Sequence, residues 1–165
     1  MGARRTRQRG SSVLYVVVLS PVLLLSLALA TEVGGLQMEK ERVRSALDQS
    51  TVVAAAAASR AGDGVGIDTV RAIAVARDVL AANLAPLSPA FAGSSATGIA
   101  RAADIAVITD VPAPNPFDSR DVIRHPSIAV RVRVPLHTGL FAAAGLPTVE
   151  QVTLTSTAAL RETGQ

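Results

Sequence analysis

The chain has 165 residues and no cysteine, so a disulfide framework and any thiolate metal site are excluded. Setting aside the first 35 or so residues leaves roughly one small domain, near the size at which a single core becomes viable. Sixteen Lys and Arg against thirteen Asp and Glu give a net charge of +3, but Arg4, Arg5, Arg7 and Arg9 precede residue 10, so the remainder carries about −1 and has no basic face. Tyr15, Phe91, Phe117 and Phe141 are the only aromatic residues, which makes a nucleic-acid partner a poor reading.

From Gly10 to Thr31 no residue is charged. A helix of that length covers about 33 Å, the thickness of a bilayer's hydrocarbon. The arginines before it resist translocation, so the expected topology is single-pass, with the N-terminus inside and the C-terminal part extracytoplasmic. Pro21 lies inside the apolar run; it removes one backbone donor, which membrane helices tolerate. The competing reading is a cleaved signal peptide. The small-x-small sequence "ALA" at 28–30 would place the cut after Ala30. Against this, the apolar run from Val13 to Ala30 exceeds the roughly 7–15 residues of a signal core, and the helical pattern does not stop at Thr31.

The segment "LQMEKERVRSALDQSTVVAAAAASR" (36–60) has no proline or glycine and is rich in helix formers. Leu36, Val43, Leu47 and Ala54 form a narrow apolar stripe, with charged residues on the other positions. One long helix is therefore expected from about Ser11 to Arg60, with Gly34-Gly35 as its weak point. Its first half would lie in lipid and its second half on a small domain. Ser26, Ala30 and Gly34 fall four apart on one face, a spacing of small residues that admits a second helix in a bilayer. The competing reading is that Ala, Ser and Gly are common here and the match is chance.

The glycines of "AGDGVG" (61–66) end the helix. Asp68 is an N-cap for a second helix, "TVRAIAVARDVLAANLA", whose expected buried face is Val70, Ile73, Leu80 and Leu84, with Val79 at its edge. Residues 86–98 read as a loop. Three strands are expected at 103–111, 126–136 and 150–160. In the second, Ile128, Val130, Val132 and Val134 alternate with Arg131 and Arg133; in the third, Val152 and Leu154 face in and Thr153 and Thr155 face out. A proline-rich connection, 112–121, joins the first two. The expected fold class is α+β: a long N-terminal helix, a second helix, and a small antiparallel sheet of about three strands laid on the exported half of the long helix. The apolar connection 136–147 is expected to be wholly or partly buried rather than a contact patch.

Little chemistry is legible. His125 and His137 have no carboxylate or cysteine at metal-ligand spacing and read as surface or loop residues. Asp63 and Asp68 sit around glycines but lack the ligand pattern of a calcium loop, so a turn and an N-cap explain them. No phosphate-binding glycine motif and no nucleophile elbow occurs, and no base is placed to activate Ser94 or Ser95. The sequence therefore points to no enzyme, no cofactor, no metal and no small-molecule substrate.

Three stretches, "RRTRQRGSSVLYVVVLSPVLLL", "EVGGLQMEKERVRSALDQSTVVAAAAASR" and "VRVRVPLHTGLFAAAGLPTVEQVTLTSTAALRE", follow one another in an order that resembles the TadE-like (TadE/TadG-type) proteins of the tight-adherence, Flp-type pilus system. These are pseudopilins or minor pilins, and the similarity covers about half of the chain. The resemblance implies a leader at 1–10, a transmembrane helix at 11–33 and an extracytoplasmic domain at 34–165. It also implies insertion in the cytoplasmic membrane and prepilin-peptidase cleavage after Gly10, which leaves Ser11 first. Such prepilins usually carry Glu at the fifth position after the cut; here that position is Tyr15. The partners implied are membrane lipid, other pilin-like subunits and the pilus-assembly machinery, and the activity is helix-helix assembly rather than catalysis. The other expectations are a secreted or periplasmic binding module beginning at Thr31, and an unrelated single-pass membrane protein serving another complex.

Overall fold

The computed structural model describes residues 7–59, 68–139, 141, 145 and 148–160. The fold is α+β. In chain order it comprises helix α1 (Arg7–Ser59), helix α2 (Thr69–Leu84), a 3-10 turn (Ala85–Ala90), helix α3 (Ala96–Arg101), and strands β1 (Asp104–Ile108), β2 (Ala113–Asn115), β3 (Asp118–Ile123), β4 (Ser127–His137) and β5 (Val149–Ala159). The chain divides into two units, residues 1–37 with 138–148, and residues 38–137 with 149–165. The expected helix break at 61–66 and Asp63 lie outside the described residues.

Helix α1 passes through both Pro21 and Gly34-Gly35 without interruption. Proline costs the helix one hydrogen bond and glycine costs about 1 kcal/mol relative to alanine, and neither outweighs the propensity of the long flanking runs. Beyond residue 38 one side of α1 is buried: Val43, Ala46, Leu47, Ser50, Thr51, Ala54, Ala55 and Ala58. The buried hydroxyls are satisfied within the helix, since Ser50 Oγ and Thr51 Oγ1 both donate to the Leu47 carbonyl, at 2.7 and 2.8 Å. Val43, Leu47 and Ala54 of the expected stripe are all in this set, and Leu36 is buried as well.

Helix α2 begins at the expected cap: the Asp68 carboxylate accepts the Arg71 backbone N–H at 2.9 Å. Its buried face differs from the expected one. Ala72, Ala76, Leu80 and Leu84 are buried, whereas Val70 is 80% exposed and Ile73 only half-buried. The reason is close approach. α2 packs on α3 and on β1, and alanines every fourth residue let backbones come near where Val and Ile would hold them apart. The Asn83 side-chain amide donates to the Ala46 carbonyl at 3.5 Å, which joins α2 to α1.

The segment expected as a loop, 86–98, is more ordered than its composition suggests. Pro86 and Pro89 suit a 3-10 turn, and Ser95 caps α3 by accepting the Gly98 N–H at 3.0 Å. Residues 112–121 are also more than a connection, because β2 and β3 pair there as an antiparallel hairpin. Strand β1 stops at Ile108, short of the expected Val111.

Strand β4 is the centre of the antiparallel sheet β1-β4-β5. Its row of Ile128, Val130, Val132, Val134 and Leu136 is at most 1% exposed, while Arg131 is half-buried and Arg133 exposed. β5 follows the expected alternation, with Val152 buried, Leu154 half-buried, and Thr153, Thr155 and Thr157 exposed. Glu150 shares the inward row with Val152, and its carboxylate accepts from Lys40 Nζ of α1 at 2.6 Å. That pair ties α1 to the inward-facing row of β5. In the connection after β4, Leu136 and Thr138 are buried and Phe141 half-buried; residues 140, 142–144, 146 and 147 lie outside the described residues.

Candidate functional site

The surface that the fold leaves unexplained is the N-terminal stretch of α1. Tyr15, Val16, Val17, Val18, Leu19, Val22, Leu23, Leu24, Leu25 and Leu27 are each more than half exposed. A soluble protein rarely presents so much contiguous apolar area, and α1 is long and apolar enough here to cross a membrane. A shallow apolar groove runs along it, lined by Tyr15, Val16, Leu19, Ser20, Leu23 and their neighbours.

Two hydroxyls in this stretch are satisfied within the helix, as a lipid environment favours. Ser26 Oγ donates to the Val22 carbonyl at 2.8 Å, and Thr31 Oγ1 to the Leu27 carbonyl at 2.9 Å. Ser26, Ala30 and Gly34 are exposed and share a face by their fourfold spacing. A Cβ built on Gly34 or on Gly35 would meet nothing within 4 Å. Packing among the described residues therefore does not require either glycine. Gly10 and Ser11, the expected processing positions, fall in the first turns of α1. Glu32, the first acidic residue after the apolar run, is half-buried, with one carboxylate oxygen enclosed and unpartnered among the described residues.

The second polar locus is the outer face of the sheet. Arg131 on β4 lies directly opposite Asp104 on β1. Its Nε and Nη2 both donate to Asp104 Oδ2, at 3.0 and 2.8 Å, while Arg133 Nη2 lies 3.8 Å from the same oxygen. The guanidinium of Arg131 stacks 4.7 Å from the centre of the Phe117 ring, which the β2–β3 turn supplies. Sequence reasoning missed this cluster. The alternating arginines were visible, but their partner depends on strand register, and Phe117 on a hairpin whose prolines disguised it.

The hydrogen bond from Arg131 holds the Asp104 carboxyl below its usual range, outweighing the opposing cost of desolvation, with the charges of Arg131 and Arg133 adding to it. A carboxylate whose pKa is lowered by folding stabilises the fold above its unfolded value of about 3.9 and loses that contribution as pH falls through the folded pKa. Wild-type protein is therefore expected to melt above Asp104→Asn at pH 7, with the difference shrinking as pH falls from about 4 toward 3. A melting difference unchanged between those pH values would show that the pair does not act electrostatically.

This cluster is a structural clasp with no reactive geometry. His125, two residues before β4, and His137, its last residue, are exposed and lie twelve positions apart in the chain. Among the described residues no three His, Cys, Asp or Glu side chains gather as metal ligands would. The exposed face of α1 is thus the candidate site, and it is suited to packing against lipid and other helices. Comparison with protein-family models, with curated proteins and with solved structures finds no match to the chain.

Proposed function

We propose that the protein is a pseudopilin or minor-pilin-like structural component of a pilus-assembly system, held in the cytoplasmic membrane by α1 with its N-terminus inside and its α+β head outside. The observation that carries this reading is α1 itself: one helix, apolar and exposed toward its start, and buried along one side beyond residue 38. That design leaves the first stretch uncovered by the described residues and makes it available to lipid and to neighbouring helices. Ser26, Ala30 and Gly34 supply a face of close approach, and glycines that the chain's own packing does not need suit contact with another subunit. The resemblance to TadE-like proteins supports the same assignment, with cleavage after Gly10 leaving Ser11 and the whole apolar helix in place.

The test is association. Two differently tagged copies of the full chain, co-expressed and solubilised in mild detergent, are expected to co-purify, and Ala30→Leu is expected to weaken that association. If Ala30→Leu leaves it unchanged, the helix-packing face is wrong. If neither copies nor other pilin-like subunits associate, the assembly role fails.

One observation favours the alternative, a secreted or periplasmic binding module cut after Ala30. Among the residues of α1 whose burial is described, every buried one lies at or beyond Leu36, so such a cut would spare them. It would, however, discard the exposed apolar stretch and strand the helix-packing face.

A further inference from the structure

The connection between β4 and β5 belongs with the apolar stretch of α1 rather than with the strands it joins, since residues 138–148 form one unit with residues 1–37. From Tyr15 to Gly35 every residue of α1 is exposed except Ala28, Leu29 and Glu32, which are half-buried and share one side of the helix. The connection is the only other part of that unit, so it lies over this side. Ala28 and Leu29 fall inside the apolar run, which ends at Ala30. The connection therefore stands at the level where a spanning α1 leaves the hydrocarbon. Its far end agrees. Glu150, the first charged residue after the connection, is held by Lys40 Nζ at 2.6 Å, and Lys40 lies about 12 Å along α1 from Glu32.

The composition of the connection suits that level. No Asp, Glu, Lys or Arg occurs from Val134 to Val149. Among its described residues Thr138 is buried, Gly139, Gly145 and Thr148 are exposed, and Phe141 is half-buried. We propose that this connection is a second lipid contact, with the open side of Phe141 lodged between headgroups and acyl chains beside the point where α1 emerges. Lipid is the occupant because the connection is continuous with the exposed apolar stretch of α1, and because a segment without charge enters the bilayer boundary at no cost in ion desolvation. One helix alone leaves the tilt of a head free, and a surface contact beside it sets that tilt. This inference rests on the membrane-anchored reading of α1.

The experiment uses the full chain in phosphatidylcholine vesicles that carry a nitroxide either near the headgroup or deep in the acyl chain. The chain has no tryptophan, so each variant carries a single one. Phe141→Trp is expected to lose emission to the shallow nitroxide and less to the deep one, as an apolar group about 5–10 Å into the boundary does. Leu23→Trp, within the apolar stretch, is expected to lose most to the deep nitroxide, and Val52→Trp, 60% exposed on the later part of α1, to neither. Gly139→Cys is the second measurement. A Cβ there meets nothing within 4 Å, and the chain has no cysteine, so a fluorophore on this thiol reports from the same connection without disturbing its packing. Loss of emission to the shallow nitroxide at either connection site, beyond that at Val52→Trp, supports the contact. Phe141→Trp and the Gly139→Cys label both unquenched while Leu23→Trp is quenched overturns it and leaves the anchored reading standing; aqueous acrylamide then tells whether water or another subunit occupies the site. Leu23→Trp unquenched by either nitroxide overturns the anchored reading and this contact with it.

Discussion

Replacing both Leu19 and Leu23 with arginine is expected to release the protein from the membrane. Each leucine contributes favourably to insertion, and each arginine near the bilayer centre costs about 2.5–3.5 kcal/mol, so the pair removes on the order of 6–8 kcal/mol. Both positions line the exposed groove on α1, where no part of the described head covers them. The double variant should leave the carbonate-resistant membrane fraction for the soluble or degraded pool. Val52→Arg, at a site 60% exposed on the later part of the same helix, should leave partitioning unchanged. A Leu19→Arg, Leu23→Arg protein that still resists carbonate extraction would mean that this stretch is not what holds the chain in the bilayer.

The second large effect is in the head. Leu47 is fully buried, and two hydroxyls of the next turn, Ser50 and Thr51, donate to its carbonyl. It lies on the buried side of α1, between Val43 and Ala54. Leu47→Ala removes three carbons from this site, and the backbone can relax little because α1 is tied on one side to Glu150 through Lys40 and on another to Asn83 through the Ala46 carbonyl. The expected loss is about 2–5 kcal/mol, a large share of the stability of a small domain. In a thermal melt of the full chain in detergent this reads as a drop on the order of 10–20 °C. Val53→Ala, at a 44% exposed neighbour, should shift the melt by a few degrees at most. A Leu47→Ala melt indistinguishable from wild type would mean that α1 is not part of the core.

Much of this architecture is legible in the residues because the periodicities are strong. The alternation of Ile128, Val130, Val132 and Val134 with Arg131 and Arg133 reads directly as a strand with one wet face, and the wet face is where Arg131 and Arg133 meet Asp104. Asp68 announces its helix because a carboxylate there has an orphan N–H to accept. Where the reading failed, the deciding force was tertiary. Val70 has the bulk of a core residue, yet α2 turns its alanines inward because the neighbouring backbone comes too close for a branched side chain. The prolines of 112–121 suggested a structureless link, but the short hairpin needs only a few backbone donors, and those prolines sit where none is spent. Asp104 and Arg131 lie 27 residues apart in the chain and could not be paired before the register of β1 on β4 was known.

The candidate site was legible to a different degree. The apolar run, the fourfold spacing of Ser26, Ala30 and Gly34, and the processing positions Gly10 and Ser11 are all features of the sequence. The structure adds that the face is exposed, that the Ser26 hydroxyl is satisfied within its own helix, and that Gly34 is unused by the packing of the described residues.

The claim on which the account turns is that the apolar half of α1 stays joined to the head. Sequencing the N-terminus of the mature, membrane-associated protein tests it most directly. A first residue of Ser11 is the predicted result, and it would place the whole apolar helix on the working subunit. A first residue of Thr31, on a polypeptide found free in solution, would contradict the account.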